Sequence, residues 1–286
     1  MFGVMGAGDR WRGCLLALMA AAVLVPLSGR VQAAGVEGLF ARSAPGAGRV
    51  VDHSAWDQLL KSYVRQDQSG LNRVDYAAFK SGGQAALKDY IRHLESVDPQ
   101  ALSRPEQFAF LVNLYNAKTV DVVLDHYPVR SIKDISLAGG LEALFTSGPW
   151  KAKVVRVKGV ALSLDDIEHN VLRPIFKDPR IHYAVNCASV GCPNLRRDAF
   201  VGSALDAQLD SAARDYVNSA RGAERRSQGL IVSSIYDWYQ EDFGGTEDGV
   251  IAHLRSYAAP PLARELDRAP RIAGYDYDWT LNDVQR

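Results

Sequence analysis

One segment, residues 107–126, limits the possible folds more than any other part of the sequence. It follows Ser103, Arg104, Pro105 and Glu106, which have the pattern of a capping box with proline in the first turn, so a helix is predicted here. Apolar side chains occupy all sides of this helix, and a helix that is apolar all round is normally buried. The chain must therefore build its core around one central helix.

Two amide side chains, Asn113 and Asn116, interrupt this apolar surface. A buried amide without a hydrogen-bond partner costs about 1–3 kcal/mol, so each needs a defined partner. Glu106 can share their face, although the capping box already employs its carboxylate. Either the amides orient a catalytic histidine or donate to an oxyanion, or they tie the helix to the backbone of a loop.

The rest of the sequence predicts mostly helices with a few short strands. Further helices are predicted over residues 53–64, 85–97, 163–176, 203–220 and 248–257. Strands are predicted over residues 154–157, 160–162, 180–186, 230–232 and 272–279. The first two strands flank Lys158 and Gly159 and read as a hairpin. This pattern predicts an α+β fold, a mostly helical single domain with a small antiparallel sheet.

The N-terminal residues have the three parts of a secretory signal peptide. Arg10 and Arg12 are followed by an apolar run over residues 14–27, and small residues precede a cleavage point after Ala33. The apolar run is shorter than the roughly 20 residues of a membrane-spanning helix, so cleavage is predicted. We therefore expect an exported protein, periplasmic or secreted, with no transmembrane segment after cleavage.

The predicted organisation is a signal peptide over residues 1–33, a flexible lead-in over 34–52 and a single domain over 53–286. The formal net charge is +0 and no basic stripe occurs, so nucleic acid is not a predicted partner. The sequence has no glycine-rich phosphate loop and no zinc-protease motif, and no cofactor is predicted. The expected partner is a substrate or protein of the cell envelope, whose identity the sequence does not give.

Only Cys187 and Cys192 remain beyond the predicted cleavage point. An oxidising compartment favours a disulfide between them. Cys187 also follows a predicted strand and precedes a turn of small residues, a placement that suits a nucleophile. A structural disulfide, a redox pair and a reactive thiol all stay open at this point.

His169 is the candidate base for Cys187. Side chains alternate along a strand, so His182 is expected to face away from Cys187, whereas the helix that carries His169 should pack against that strand. Asp165 lies one helical turn before His169 and could orient its imidazole, as the third member of a catalytic triad does.

Other charged residues on this helix are assigned supporting roles. Glu168 should point about 100° away from His169 and pair with another element, and Arg173 could hold such a pair.

A zinc site built from His182, Cys187 and Cys192 has neither the spacing of known structural sites nor a common face, so no metal is predicted.

Several segments together resemble the DUF547 family, a domain of unknown function. They are EQFAFLVNLYNA (106–117), IEHNVLR (167–173), RIHYAVNC (180–187) with CP (192–193), and YDWTLN (277–282). The resemblance implies a single domain. Plant members of the family have serine at the second cysteine position, which implies a role for Cys187 other than a disulfide. The order of histidine before cysteine resembles a permuted papain-like or transglutaminase-like arrangement, which is analogy at the level of the fold.

The leading hypothesis is an exported cysteine-dependent hydrolase or acyltransferase that acts on an amide or peptide bond. Cys187 is its nucleophile and His169 its base, with Asn116 or Asp165 orienting that base. The supporting residues are Glu168, Arg173, Asn113, Glu106 and Asn186. The alternatives are a non-catalytic envelope binding module with a structural Cys187–Cys192 disulfide, and a thiol–disulfide sensor.

Overall fold

The structure, a computed structural model, describes residues 35–46, 48–137, 148–268 and 271–284. The predicted signal peptide lies outside these residues. After a helical segment over residues 35–40, the helices in chain order are α1 (Ser54–Tyr63), α2 (Tyr76–Gly82), α3 (Gln84–Ser96), α4 (Arg104–His126), α5 (Arg173–Phe176), α6 (Ile181–Ala184), α7 (Leu205–Val217), α8 (Ile235–Trp238), α9 (Glu247–Tyr257) and α10 (Pro260–Arg268). A π-helix over Asp166–Leu172 leads directly into α5.

The strands are short and form small sheets. They are β1 (Val64–Gln66), β2 (Asn72–Val74), β3 (Val155–Val157), β4 (Val160–Leu162), β5 (Ala223–Arg226), β6 (Gly229–Ser233) and β7 (Ile272–Asp276). β1 pairs with β2, β3 with β4 and β5 with β6, all antiparallel, whereas β6 pairs with β7 in parallel. The predicted mostly helical α+β fold is confirmed, although its three-stranded sheet is mixed rather than purely antiparallel.

The predicted hairpin is formed by β3 and β4. Lys158 and Gly159 connect the strands with φ angles of 50° and 84°. Two successive positive φ angles are the feature of the tight turn that matches the twist of antiparallel strands. The pairing of Val157 with Val160 directly beside this turn sets the register of the hairpin.

Helix α4 is buried along nearly its whole length, as its apolar surface predicts. It packs against α2, α3 and the π-helix, and the larger of two hydrophobic clusters surrounds it. The predicted capping box at its start is wrong, because the Ser103 side chain makes no capping hydrogen bond. Glu106 is instead buried beside Gly202, where an added Cβ would lie 2.4 Å from Glu106 Oε1.

The predicted strand over residues 180–186 is also wrong. Helix α6 occupies its centre, and the Arg180 N–H, just before α6, donates to Asp178 Oδ1 at 2.9 Å. The backbone then extends, but a side chain takes the place of a neighbouring strand. Asn116 Nδ2 donates to the Ala184 carbonyl at 2.9 Å, and its Oδ1 accepts from the Asn186 N–H at 2.8 Å.

Part of the segment predicted as a flexible lead-in packs on the domain. Residues 35–40 are helical, and Val36 and Phe40 are fully buried. Arg104 Nη1 donates to the Phe40 carbonyl at 2.7 Å. Within the described ranges, no helix has the length and apolar character needed to cross a membrane.

Candidate functional site

A pocket of about 360 Å³ brings several of the predicted site residues together. Asp165, Glu168, His169, Cys187 and Cys192 all line it, although they come from separate segments of the chain. Half of the other lining residues are tyrosines or tryptophans: Tyr115, Trp150, Trp238, Tyr239, Tyr277 and Trp279. Lys151 and His182 also line it.

Cys187 and Cys192 are joined by a disulfide, with their Cα atoms 6.2 Å apart. Asn186 holds both ends of the loop between them, because its Oδ1 accepts from the Ala188 N–H at 2.9 Å and its Nδ2 donates to the Pro193 carbonyl at 2.7 Å. Ala188 has a φ of 59°, a left-handed conformation that is unfavourable for a residue with a Cβ. The Asn186 hydrogen bonds help to offset that cost.

Hydrogen-bond donors surround the two sulfur atoms. The Tyr277 hydroxyl lies 3.0 Å from Cys187 Sγ and 3.1 Å from Cys192 Sγ, and the Ser189 hydroxyl lies 3.3 Å from Cys187 Sγ. The Cys187 N–H donates to Cys192 Sγ at 2.9 Å. Cys192 is buried and Cys187 is half-buried, so Cys187 is the more accessible sulfur. Burial raises the pKa of Tyr277 well above its usual value, which keeps its hydroxyl protonated as a donor.

His169 is placed between a cation and a carboxylate of its own helical segment. Arg173 Nη1 lies 3.3 Å from His169 Nδ1, and Asp165 Oδ1 lies 3.9 Å from His169 Nε2. A guanidinium can only donate, so Nδ1 accepts and the proton of the neutral imidazole is assigned to Nε2. His169 therefore presents an N–H donor on its Asp165 side. Burial raises the pKa of Asp165; His169 opposes the shift when its imidazole is protonated, and the charge of Glu168 adds to it.

His182 forms the centre of a second, buried charge cluster. Its Nε2 lies 2.7 Å from Asp242 Oδ2, and its Nδ1 lies 3.8 Å from Glu168 Oε1. Arg173 binds the same Asp242 carboxylate through Nε at 2.6 Å and Nη2 at 3.2 Å. Although burial opposes it, hydrogen bonds from His182 and Arg173 hold the pKa of Asp242 well below its usual value. The Tyr239 ring stacks on the imidazole with a centroid separation of 4.1 Å.

The prediction that His182 faces away from Cys187 is wrong, because it depended on a strand that the chain does not form. His182 lies on α6 and lines the same pocket as Cys187. Within the described part of the chain, however, no imidazole nitrogen is hydrogen-bonded to either sulfur of the disulfide; Cys187 Sγ contacts the hydroxyls of Ser189 and Tyr277.

The two amides of α4 hold loop backbone. Asn113 exchanges two hydrogen bonds with Phe200, donating to its carbonyl at 2.8 Å and accepting from its N–H at 3.1 Å. Asn116 does the same with Ala184 and Asn186. Neither amide hydrogen-bonds to a histidine. Of the two roles that the sequence left open, the structure shows the one in which the amides hold loop backbone.

Sequence reasoning missed Tyr239 and Asp242. Asp242 lies in a 3₁₀ turn over Gln240–Phe243 whose sequence gives no sign of the distant partners His182 and Arg173. Tyr277 belongs to the segment 277–282 that resembles the family, and this resemblance was the only indication in the sequence that it could be part of the site. Among the described residues, no group of three or more His, Cys, Asp or Glu side chains could hold a metal ion.

The fold and pocket define a mostly helical α+β domain in which a bridged cysteine pair faces a cluster of histidines and carboxylates. Residues 99–217 match the model of one family, described as protein of unknown function, DUF547. This range contains α4, the π-helix and the cysteine loop, and the match confirms the resemblance to that family over these residues. No curated protein and no solved structure matches the chain.

Proposed function

We propose that this protein is a cysteine-dependent hydrolase or acyltransferase that acts on an amide-type bond, with Cys187 as nucleophile and its disulfide to Cys192 as the resting form. The observation that supports this most directly is that the accessible Cys187 sulfur lines a pocket together with His169, while hydroxyl and N–H donors surround the sulfur pair. Such donors stabilise a thiolate, which is the reactive form of cysteine.

The reaction begins when an external dithiol reduces the disulfide and is itself oxidised to a disulfide. Cys187 then loses its proton to solvent, and the thiolate attacks the carbonyl carbon of the bound substrate. The carbon–nitrogen bond breaks, the amine leaves with a proton from solvent, and a thioester remains on Cys187. Water or an acceptor amine then attacks the thioester and releases the thiolate.

The surrounding residues have separate roles in this proposal. Tyr277 and Ser189 donate to the thiolate. In place of the role of base expected from the sequence, His169, whose Nδ1 faces Arg173, donates through Nε2–H to the substrate carbonyl oxygen, where negative charge develops. Arg173, at the start of α5, fixes His169 because it contacts both His169 and Asp242. Export, which stays a prediction from the first 33 residues, would place the enzyme where disulfides persist and where reduction must be supplied.

The two single cysteine variants provide a matched test. Cys187→Ser and Cys192→Ser both remove the bridge, and each should lose about 2 kcal/mol of unfolding free energy from that cause. Cys192→Ser should hydrolyse acyl p-nitroanilides or p-nitrophenyl acetate without reductant, whereas Cys187→Ser should not. Wild type should become active only after treatment with dithiothreitol. Equal turnover by the two folded variants, or none by Cys192→Ser, would contradict the proposal.

A second candidate is a non-catalytic binding module in which the disulfide only stabilises the loop. The contacts of the two histidines favour this function, because they occupy the nitrogens that a catalytic base would use. Both nitrogens of His182 face carboxylates, and His169 Nδ1 faces Arg173. For this function, both cysteine variants should lose similar stability and neither should turn over any acyl substrate. The same pair of variants therefore separates the two candidates.

A further inference from the structure

We infer that the pocket selects substrates with a cationic side group, an ammonium or guanidinium, close to the bond that Cys187 attacks. The position of that bond rests on the proposed function. The recognition of a cation rests only on the walls of the pocket and can be tested without turnover.

One wall of the pocket is acidic. Glu168 is only 6 % exposed, and Asp165 has a side chain that is 31 % exposed. Among the described lining residues, Lys151 is the one lysine or arginine, and it is solvent-exposed. Arg173 does not line the pocket and binds Asp242. The carboxylates therefore exceed the permanent cations of the lining, and a buried charge of this kind attracts a ligand of opposite sign.

The aromatic part of the lining offers ring faces. Trp238 stacks on Trp279 with a centroid separation of 5.7 Å and lies 4.8 Å from the Tyr277 ring, but it is 46 % exposed, so part of its ring stays open to a ligand. The protein's own cations already lie on two rings of this wall, with Lys133 Nζ 4.9 Å from the Trp279 centroid and Arg173 Cζ 5.1 Å from that of Tyr239. Cations over aromatic faces are attracted by the ring quadrupole, most strongly with tryptophan.

The combination of the two walls favours a cation over other ligand groups. An anionic group would meet the charges of Asp165 and Glu168 at close range, and a neutral apolar group would gain nothing from them. A cation gains from the carboxylates and from the aromatic faces together. Burial raises the pKa of Asp165, and a bound cation would favour its charged form.

The test compares two probes that differ in one group. Nα-acetyl-lysine amide carries an ammonium, and Nα-acetyl-norleucine amide has the same carbon chain without it. Binding to the disulfide form of the protein is followed by tryptophan fluorescence, because Trp150, Trp238 and Trp279 line the pocket. The lysine probe should bind at least about tenfold more tightly. Equal affinity for the two probes, or no binding of either, would overturn the inference.

Two variants serve as internal controls, one that removes a negative charge from the pocket lining and one that removes a positive charge. Asp165→Asn should weaken the lysine probe by about tenfold and leave the norleucine probe unchanged, whereas Lys151→Gln should strengthen the lysine probe by about threefold. Lys151 is exposed, so its variant remains a test even if Asp165→Asn does not fold. Unchanged lysine affinity in Lys151→Gln, or in a folded Asp165→Asn, would count against the acidic wall.

The outcomes also separate this inference from the proposed function. Selective binding of the lysine probe by a protein that turns over no acyl substrate would retain the cation site and reject the enzyme. Turnover by Cys192→Ser with equal efficiency on lysine and norleucine anilides would support the enzyme and reject the cation site.

Discussion

Asp242 provides the sharpest test of how the site is held together. Its carboxylate accepts hydrogen bonds from His182 Nε2 at 2.7 Å and from Arg173 at 2.6 and 3.2 Å. Asp242→Asn has almost the same shape, but its amide nitrogen would point donors at a guanidinium or an imidazole. The change therefore tests charge and hydrogen bonding with little change in packing.

The expected loss can be worked out from these contacts. Removing one partner of a buried ion pair costs about 3–5 kcal/mol, and hydrogen bonds to charged groups contribute about 1.5–3 kcal/mol each. The Asp242 side chain is 26 % exposed, so solvent screening reduces the charge effect, and the asparagine oxygen can keep one hydrogen bond. We expect a loss of about 2–3 kcal/mol and a fall in thermal midpoint of about 5–10 °C.

The measurement is urea unfolding of Asp242→Asn beside Asp89→Asn, which removes a carboxylate from an exposed pair with Arg92 and should change stability by less than about 0.5 kcal/mol. The folded-state pKa of Asp242 is lowered, so its stabilisation is present above the unfolded pKa of about 3.9 and is lost as the pH falls through the folded value. The difference between wild type and Asp242→Asn should therefore shrink below about pH 4. Similar losses in the two variants, or a loss that stays constant down to pH 3, would refute the reasoning.

Three further predictions concern single side chains. Burial lowers the pKa of His53 to about 4, so wild type should lose about 2 kcal/mol of unfolding free energy from this residue between pH 7 and pH 5, and His53→Gln, measured by urea unfolding at both values, should lack that loss. Ser163→Ala removes the hydroxyl that exchanges hydrogen bonds with Asp166 and should cost about 1 kcal/mol in the same assay; a change near zero would show that this Ser163–Asp166 exchange adds nothing to stability. In a Cys192→Ser background, Tyr277→Phe should raise by about one unit the pH at which iodoacetamide alkylates Cys187 at half its maximal rate, and an unchanged profile would remove Tyr277 from the stabilisation of the thiolate.

The long helices were predictable because their patterns repeat over several turns. The period of the apolar side chains places α3, α4, α7 and α9 within a few residues of their observed limits. The β3–β4 hairpin was equally clear, since Gly159 is suited to a positive φ angle and two short apolar runs flank Lys158 and Gly159. In these elements the residues that decide the structure are neighbours in sequence.

The region before Cys187 was not predictable in this way. Residues 180–186 form an apolar run too short to distinguish a strand from a helix by periodicity, and the deciding contacts come from Asn116 on α4. Because a strand was predicted, His182 was expected to face away from Cys187, whereas both residues line the same pocket. Asp242, more than fifty residues away, then binds His182 through a contact that no local pattern encodes.

Asn116 and Asn113 together test whether α4 positions the nucleophile. Each amide makes two hydrogen bonds to backbone, but Asn116 holds the residues directly before Cys187, whereas Asn113 holds Phe200. Replacing either by leucine, which has a similar size, leaves a buried carbonyl and a buried N–H unpaired and should cost about 2–4 kcal/mol.

The two variants should therefore unfold at similar urea concentrations, and stability alone cannot distinguish them. Reactivity can, because only Asn116→Leu releases the backbone that places Cys187 beside Tyr277. In a Cys192→Ser background, the rate of alkylation of Cys187 at pH 7 should change by at least about threefold in Asn116→Leu and stay at the parent value in Asn113→Leu. If both variants change the rate equally, the effect comes from general loosening of the core, and Asn116 has no particular part in placing the sulfur.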